Sequence, residues 1–243
     1  MPLLRTLALV TGANSGIGRA TAEALARQPY NYHVILGARD VEAGERIAAN
    51  LRAEGCAACC VQLDLTNPES VDAAVRFVSR EFGYLDVLVN NAGVLLDFAD
   101  QALGIWGVYH RTFATNVIGP SILTEYLIPL LKKSKNTPPR IVFVSCGMGC
   151  LSLALNERWP YYNVETKVYD ASKSAVNMIM LNFARTLTKG KVNAVCPGQA
   201  RTKLTGNFGR SPELAAEPVI QMATVDRNGP TGTFMSRNGK LPW

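Results

Sequence analysis

The chain has 243 residues, 48% of them hydrophobic and 18% charged, which is long and apolar enough to bury the core of one large α/β domain. The net charge of +6 does not indicate nucleic acid, because the basic residues are scattered and their longest cluster, Lys132, Lys133 and Lys135, is typical of a solvated helix end. No apolar run approaches the roughly 20 residues that cross a bilayer, so we expect a cytoplasmic protein that binds neither nucleic acid nor membrane.

The six cysteines could indicate a metal site or a disulfide framework. A structural zinc site needs four ligands at paired spacings, whereas this chain has only two histidines and no regular pairing. Nothing marks the chain as secreted, where disulfides would be favoured. We therefore predict no metal, and we expect Cys56, Cys59 and Cys60 to pack as small apolar residues near the start of a strand.

Short apolar runs alternate with longer amphipathic patterns along the chain. The strand-like runs are TLALVTG, HVILGA, CCVQLD, LDVLVNNAG, IVFVS, VNAVCPG and TGTFMS. Helices are predicted from the first glycine loop to Arg27 and over residues 40–54, 68–82, 115–132 and 170–188. Strands that are apolar almost throughout, separated by helices, predict a parallel sheet covered on both faces.

Right-handed crossovers turn this order into a doubly wound, Rossmann-type α/β sheet of about seven strands with helices on both faces. No repeat, low-complexity segment or linker divides the sequence, so residues 1–243 are predicted to form a single domain. In such a sheet the ligand crevice lies at the carboxyl ends of the strands. Residues at the strand ends are therefore the main candidates for a functional site.

A glycine-rich segment, TGANSGIG, follows the first strand and opens the first helix. The glycines permit a tight turn and a close backbone approach, so that a pyrophosphate can sit at the positive end of the helix. The spacing differs from the common dinucleotide fingerprint, and such a cluster can also serve an ordinary turn. The candidate cofactor contacts are Gly12, Asn14, Ser15, Gly16, Ile17 and Gly18.

The second strand ends in Leu36-Gly37-Ala38-Arg39 and lacks the carboxylate that would hold the ribose hydroxyls of NAD. Arg39 instead offers a planar donor fork suited to a 2′-phosphate, which favours NADPH. The alternative is that Arg39 is an exposed residue at the start of the next helix, beside Asp40.

Two further strand ends carry candidate cofactor contacts. The third strand is followed by Asp64 and Leu65, and the Asp64 carboxylate could accept a hydrogen bond from an adenine amino group. Asp64 could instead cap the helix after Pro68, although Asn67 is better placed for that. The fourth strand ends in NNAG, where Asn90, Ala92 and Gly93 would let the chain pass close to a flat cofactor or simply form a turn.

In order, and over nearly the whole chain, the motifs resemble those of the short-chain dehydrogenase/reductase family: TGANSGIG, LDL, NNAG, Asn116, IVFVSCGMGC, Tyr169-x-x-x-Lys173 and Cys196-Pro197-Gly198. GAR after the second strand, the segment before Tyr169 and the ending SPELAAEP…TGTFMS are most similar to the NADPH-dependent carbonyl reductase branch. The resemblance implies a cofactor half over about residues 1–110 and a catalytic and substrate half over about 111–243. It also implies NADPH contacts from Tyr169, Lys173, Pro197, Gly198, Ala200 and Thr202.

The resemblance makes Tyr169 a general acid for a carbonyl oxygen. Lys173, four residues later, shares its helix face, and we expect the ammonium and a nicotinamide cation to lower the Tyr169 pKa from its reference of about 10. Asn116 matches the family position that holds a water linking the lysine to solvent. Thr202 matches the residue near the nicotinamide amide, or it caps a helix.

Family members usually carry two adjacent serines at the end of the fifth strand, and the second one binds the substrate oxygen. Aligned on Gly149, Ser145 takes the first position and Cys146 the second. Because strand side chains alternate between faces, we expect Cys146 to face the chemistry and Ser145 to turn away. A thiol is a weak donor, and loss of one good oxyanion donor typically costs about 10²–10³ in rate.

The leading prediction is an NADPH-dependent reductase of a ketone or aldehyde. Because Cys146 donates weakly, reduction of an imine or iminium carbon is an alternative, as are a non-redox cyclisation or isomerisation and a non-catalytic NADPH-binding regulator. The pocket rim is predicted in segments 94–109, 150–168 and 203–222, whose apolar residues suggest a sizeable apolar substrate. These residues could instead pack loops or a subunit interface: Leu95, Leu96, Phe98, Trp106, Trp159, Tyr161 and Tyr162. A homodimer or homotetramer through the helices near 110–132 and 170–188 is possible in this family.

Overall fold

One sheet of eight strands organises the described part of the chain, which in this computed structural model comprises residues 5–28, 31–98, 103–135 and 138–243. The strands are β1 (Thr6–Thr11), β2 (Tyr32–Ala38), β3 (Ala57–Gln62), β4 (Val87–Asn90), β5 (Arg140–Val144), β6 (Lys191–Cys196), β7 (Phe234–Ser236) and β8 (Gly239–Lys240). Their order is β3-β2-β1-β4-β5-β6-β7-β8. All neighbours pair in parallel except β7 and β8, which are antiparallel.

Helices connect the strands and cover both faces of the sheet. They are α1 (Gly16–Ala26), α2 (Val41–Ala53), α3 (Pro68–Glu81), α4 (Gly104–Phe113), α5 (Gly119–Leu131), α6 (Lys167–Thr186) and α7 (Pro212–Ala223). A π-helical turn over Ala114–Ile118 joins α4 to α5, and single 3₁₀ turns cover Gly147–Gly149, Leu151–Leu153 and Lys203–Thr205. Within the described ranges, none of the helices combines the length and the apolar composition needed to span a bilayer.

Two apolar cores lie on opposite faces of the sheet, because side chains alternate along each strand. On β1, Leu7 and Leu9 pack in one core with α3, α5 and α6. Ala8 and Val10 pack in the other core with α1, α2 and α7. All six residues of β1 are therefore buried, which explains why its sequence is apolar without a polar alternation.

The predicted Rossmann-type fold is confirmed, with one more strand than expected. The eighth strand has only two residues, Gly239 and Lys240, and runs antiparallel at the edge of the sheet. So short a segment carries no periodic signal in the sequence. Helix α6 begins at Lys167 rather than residue 170. Parts of the predicted rim (99–102) and of the predicted loop after α5 (136–137) lie outside the described residues.

Candidate active site

The loops after β1, β4, β5 and β6 meet at one edge of the sheet, because these four strands are parallel neighbours. They contain the glycine-rich segment, NNAG, the segment SCGMG and the segment CPG. The prediction that the strand ends share one crevice therefore has its structural basis in the register of the sheet. Among the residues with described positions, no group of three His, Cys, Asp or Glu side chains could hold a metal ion there.

The glycine loop forms a cradle that larger residues would fill. Gly12 and Gly16 have positive φ angles of 65° and 54°, which favour glycine. A Cβ on Gly12 would lie 3.0 Å from Cα of Ala92, and one on Gly18 would overlap the Asn91 amide. Ser15 begins α1 without a side-chain capping bond, and the first turn has no acidic residue. The cradle and the uncapped helix end thus fit a pyrophosphate.

Two residues that the sequence analysis did not single out join the loops after β1 and β4. The Thr11 hydroxyl accepts the backbone N–H groups of Asn91 and Ala92 at 3.0 Å each, and Asn91 Nδ2 donates to the Thr11 carbonyl at 2.8 Å. Asn90 points elsewhere, since its buried amide donates to Thr124 Oγ1 of α5 at 2.9 Å. The Asn90 side chain is therefore turned toward α5, and only its backbone is left for the predicted cofactor contact.

At the end of β2, Arg39 is exposed, and its guanidinium makes no hydrogen bond or ion pair to the parts of the chain the structure describes. Its neighbour Asp40 caps α2 by accepting the Ala43 N–H at 2.9 Å, so Asp40 does not engage Arg39. Arg39 is therefore available for an external anion at the edge where the strand ends.

The two residues after β3 have different surroundings. One carboxylate oxygen of Asp64 accepts the N–H and hydroxyl of Thr66 at 2.9 and 2.7 Å. Asn67 is the cap of α3, accepting from Glu69 N–H at 2.9 Å, so Asp64 does not have that role. The Leu65 side chain is buried in the core under Gly119, which leaves only its backbone for a cofactor contact.

Tyr169 and Lys173 lie on successive turns of α6 and are 8% and 4% exposed. Lys173 Nζ donates to the Val144 carbonyl at 2.8 Å and lies 5.4 Å from the centroid of the Tyr169 ring. A Cβ on Gly93 would lie 3.6 Å from that Nζ and 3.3 Å from Oδ1 of Asn116. Gly93 therefore lies close to both polar groups, and a side chain there would crowd the Asn116 amide.

Asn116 lies in the π-helical turn between α4 and α5. Its Oδ1 accepts the Val94 N–H at 2.8 Å, and its Nδ2 donates to the Val94 carbonyl at 2.9 Å and to Ser172 Oγ at 3.0 Å. Such insertions in helices are often found at functional sites. The turn fixes Asn116 between the loop after β4 and the helix that carries Tyr169.

Burial dominates the electrostatics of the Tyr169 and Lys173 pair. Burial raises the pKa of Tyr169 well above its usual value, and the sulfurs of Cys146 and Cys196 raise it further. Burial lowers the pKa of Lys173 to about 8, against the opposing effect of the same two sulfurs. Burying a phenolate costs free energy, so burial opposes the lowering expected from the ammonium and a bound nicotinamide cation, and that lowering stays a prediction.

Cys146, not Ser145, contacts the tyrosine. The Ser145 hydroxyl donates to the Lys173 backbone carbonyl at 3.4 Å, and Ser145 is 2% exposed. Cys146 lies close enough to Tyr169 for its sulfur to raise the Tyr169 pKa. The two residues at the end of β5 thus face different partners, as the alternation along a strand requires.

Cys196, at the end of the neighbouring strand β6, completes a pair of sulfurs with Cys146. Its Sγ accepts the Gly147 N–H at 3.2 Å. Hydrogen bonding with the Cys146 thiol lowers the Cys196 pKa, and backbone N–H groups of Gly198 and Gly147 add to the effect, while the Cys146 pKa is raised well above its usual value. The two sulfurs therefore influence each other's protonation.

A carboxylate far away in the sequence caps the helix of Tyr169. Asp97, in the loop after β4, accepts the N–H groups of Val168 and Tyr169 at 2.8 and 3.1 Å. The residue before the helix, Thr166, makes no capping bond and instead donates to Asp170 at 2.9 Å. Burial raises the Asp170 pKa to about 6, the Thr166 bond opposes this, and the Asp97 charge adds to it. No local sequence signal identifies Asp97, because it acts across 71 residues.

The substrate side of the crevice has an aromatic wall. The Trp159 ring packs on Gly147, where a Cβ would lie 2.9 Å from it, and it meets Tyr161 edge to face at 5.6 Å between centroids. Other predicted rim residues face solvent: Phe98 is 69% and Trp106 86% exposed. Only part of the predicted aromatic rim therefore borders the site.

The segment after β6 lies between the glycine loop and this wall. Gly198 has a φ of 72°, and Ala200 is buried. Thr202 precedes the 3₁₀ turn, and its N–H donates to Thr205 Oγ1 at 3.2 Å. Its methyl group would lie 3.0 Å from a Cβ on Gly16. Thr202 thus borders the cradle, on the side where a cofactor would lie.

Comparison with known proteins agrees with this geometry. The family model described as short chain dehydrogenase matches residues 6–213. A short-chain dehydrogenase, anuI, from Penicillium roqueforti is 36% identical over 226 residues, covering 90% of this chain and 89% of its own. Mouse carbonyl reductase [NADPH] 1 is 31% identical and is covered to 99%, with 98% of this chain.

Among solved structures, salutaridine reductase from Papaver somniferum is similar, with a TM-score of 0.79 and 26% identity, over 95% of this chain and 99% of that chain. The family motifs and the strands of the sheet lie in the part of the chain that these relatives cover. The chain belongs to the short-chain dehydrogenase/reductase family.

Proposed function

We propose that this protein is an NADPH-dependent reductase that delivers hydride to the carbonyl carbon of a ketone or aldehyde, with Tyr169 as the proton donor. The observation that carries the proposal is the meeting of Tyr169, Lys173 and Asn116 beside a glycine cradle at one edge of the sheet. The protein is an oxidoreductase of its family, and one relative with 31% identity is a carbonyl reductase whose name specifies NADPH.

The cofactor supplies the hydride, and this chain supplies the groups that hold it. The backbone of the glycine loop and the first turn of α1 bind the pyrophosphate, since their N–H groups are not occupied by a side-chain cap. Arg39 would bind the 2′-phosphate, and the Asp64 oxygen that Thr66 leaves open would accept a hydrogen bond from the adenine amino group. The loop of Ala92 and Gly93 lies between this region and Lys173.

Tyr169 donates the proton because burial keeps its phenol protonated by raising its pKa. Lys173 has a pKa of about 8, so it carries a charge at neutral pH and stabilises the phenolate that forms. The Val144 carbonyl fixes the ammonium in place. Asn116 lies across Gly93 from that ammonium. It would hold the water that links Lys173 to solvent, through which a proton returns to the pair.

Cys146 takes the position of the usual oxyanion donor, and a thiol is a weak hydrogen-bond donor. The carbonyl oxygen therefore depends mainly on Tyr169, and simple ketones should turn over slowly. The same observation favours a second candidate, the reduction of an iminium carbon, because its product nitrogen needs no stabilised negative charge. A non-catalytic regulator would not need a buried tyrosine and lysine pair, and a non-redox cyclisation or isomerisation would convert its substrate without consuming NADPH.

The apolar wall of Trp159 and Tyr161 supports an aromatic or polycyclic substrate. Association of two or four copies also stays a prediction. It is supported by exposed apolar side chains on the two helices. Those before β5 are spaced four residues apart and so share one helix face: Ile118, Ile122 and Tyr126. Met178 is exposed on α6.

The proposal is tested by incubating the purified protein with NADPH and a panel of aromatic ketones, aldehydes and cyclic imines. NADPH absorbance and product are measured in the same samples. One NADPH consumed for each alcohol formed is expected. Turnover of imines alone supports the second candidate, and conversion without loss of NADPH contradicts both.

A further inference from the structure

Arg210 holds a fixed place beside the site. Its N–H donates to the Gln199 carbonyl at 3.0 Å, and its carbonyl accepts the Arg201 N–H at 2.7 Å. The segment after β6 thus clamps the Arg210 backbone on both sides. The Arg210 side chain is exposed and projects from this clamped backbone.

The guanidinium lies against Gly198, two residues after Cys196. Its Cζ, Nη2 and Nε would be 3.6, 3.7 and 3.8 Å from a Cβ at that glycine. Burial raises the pKa of Tyr161, and Cys146 and Cys196 raise it further. The positive charge of Arg210 lowers the same pKa. Arg210, Tyr161 and the two sulfurs therefore border the same part of the crevice.

This part of the crevice lies away from the glycine loop, next to Gly198, an expected contact of the other end of the cofactor. Thr202 marks the cradle, because its methyl group lies next to Gly16. Gly198 lies four residues earlier in the chain, next to the residues that follow β5 and β6. A ligand group at Arg210 would therefore lie near Gly198 and Tyr161 rather than beside the glycine loop.

No carboxylate neutralises Arg210 in the part of the chain with described coordinates. The ion pairs found there use Arg19, Arg27, Arg52, Arg80 and Arg237. Residues 195–212 contain Arg201, Lys203 and Arg210 and no acidic residue. A guanidinium offers a planar fork of donors that matches a carboxylate, and an apolar ligand body that covers the pair would strengthen it by excluding water.

We propose that Arg210 forms an anion subsite, and that the substrate is a keto compound whose aromatic body packs on Trp159 and Tyr161 and whose acidic group pairs with Arg210. The inference rests on the proposed function and narrows its substrate class. Neutral ketones of the same size should bind more weakly, because they leave the guanidinium without a partner.

Kinetics with matched substrates test the subsite. The probes are benzoylformate, benzoylpropionate and benzoylbutyrate, each with its methyl ester, so that the distance between ketone and carboxylate varies. The wild type should prefer at least one acid to its ester. Arg210→Gln should lower kcat/KM for that acid about 10- to 100-fold, the range for a charge-assisted hydrogen bond, and leave the ester nearly unchanged. Arg210→Lys should retain part of the preference.

Arg158→Gln is the matched control, since Arg158 is an exposed residue of the same wall segment and its removal changes the net charge equally. Equal losses in Arg158→Gln and Arg210→Gln would overturn the subsite, as would equal kcat/KM values for every acid and its ester. The affinity for NADPH is measured in parallel. A rise in its Kd in Arg210→Gln, without an effect on the acids, would assign the cation to the cofactor and overturn the proposal.

A binding measurement separates this inference from the proposed function. Phenylbutyrate, which has no ketone, is titrated calorimetrically into protein saturated with NADP⁺, with its methyl ester as the neutral partner. Binding of the acid that is lost in Arg210→Gln and weakened by salt supports the subsite even if no ketone is reduced. Equal binding of acid and ester, or no binding of either, would overturn it.

Discussion

The Asp97 carboxylate accepts the backbone N–H of Tyr169 at 3.1 Å, so the loop after β4 caps the helix that carries the proton donor. The other oxygen of the same carboxylate accepts the Val168 N–H at 2.8 Å. The start of α6 is thus set by a residue on the opposite side of the crevice. The loop after β4 also contacts Asn116 through Val94, which ties the cofactor side and the proton donor together.

Asp97→Ala removes both capping bonds. We expect the free energy of unfolding to fall by about 1 kcal/mol, as for other lost N-caps. We also expect kcat to fall about 10- to 100-fold with a smaller change in KM, because Tyr169 loses its position relative to the substrate. Asp97→Asn, which keeps one acceptor oxygen, should be intermediate.

The control for this variant is Ser211→Ala, which removes the cap of α7 at the Leu214 N–H. It should cost similar stability and leave kcat near the wild-type value. If Ser211→Ala lowered kcat as much as Asp97→Ala, the effect would be a general loss of stability, and the positioning role of Asp97 would be wrong.

Cys146→Ser should raise the turnover of ketones. A hydroxyl is a stronger donor than a thiol, and a restored oxyanion donor is worth up to about 10²–10³ in kcat. Ser145→Ala serves as the control, because its hydroxyl bonds the Lys173 carbonyl rather than Tyr169. A strong increase in ketone turnover, together with a wild type inactive on cyclic imines, would eliminate the iminium candidate. If ketone turnover did not increase, Tyr169 alone would supply the hydrogen bond that the carbonyl oxygen needs.

The pH dependence of reduction follows from Lys173. Burial lowers its pKa to about 8, and burial raises the pKa of Tyr169, so the lysine loses its proton first as the pH rises. We expect kcat/KM for reduction to decline above about pH 8, the pKa of Lys173. Lys173→Arg, which keeps its charge, should move the decline to higher pH even if it lowers the rate. A profile that is flat across this range, in the wild type, would contradict the role of Lys173.

Arg39→Gln tests the preference for NADPH. Loss of a charge-assisted contact to the 2′-phosphate should raise the Kd for NADPH about 10- to 100-fold and leave that for NADH unchanged. Arg46→Gln, an exposed change of the same kind on α2, is the control. Equal weakening of NADPH and NADH by Arg39→Gln would place the residue outside the 2′-phosphate site.

The sequence predicted what depends on local patterns. Seven apolar runs identified seven strands, and their ends identified the loops that form the crevice. Asp97 and Cys196 were missed as neighbours of Tyr169 and Cys146, because both act across long stretches of chain. The early start of α6 has the same origin, since its cap is supplied by Asp97. The burial that raises the Tyr169 pKa cannot be read from an i, i+4 spacing.

The most direct test of the account is the rate of NADPH oxidation by Tyr169→Phe with the best carbonyl substrate found for the wild type. The substitution removes one hydroxyl and keeps the buried aromatic ring at this position of α6. The account predicts that kcat falls by at least about 10²-fold while the Kd for NADPH stays the same, as expected for the loss of a general acid. A Tyr169→Phe variant that reduces the carbonyl at close to the wild-type rate would contradict it.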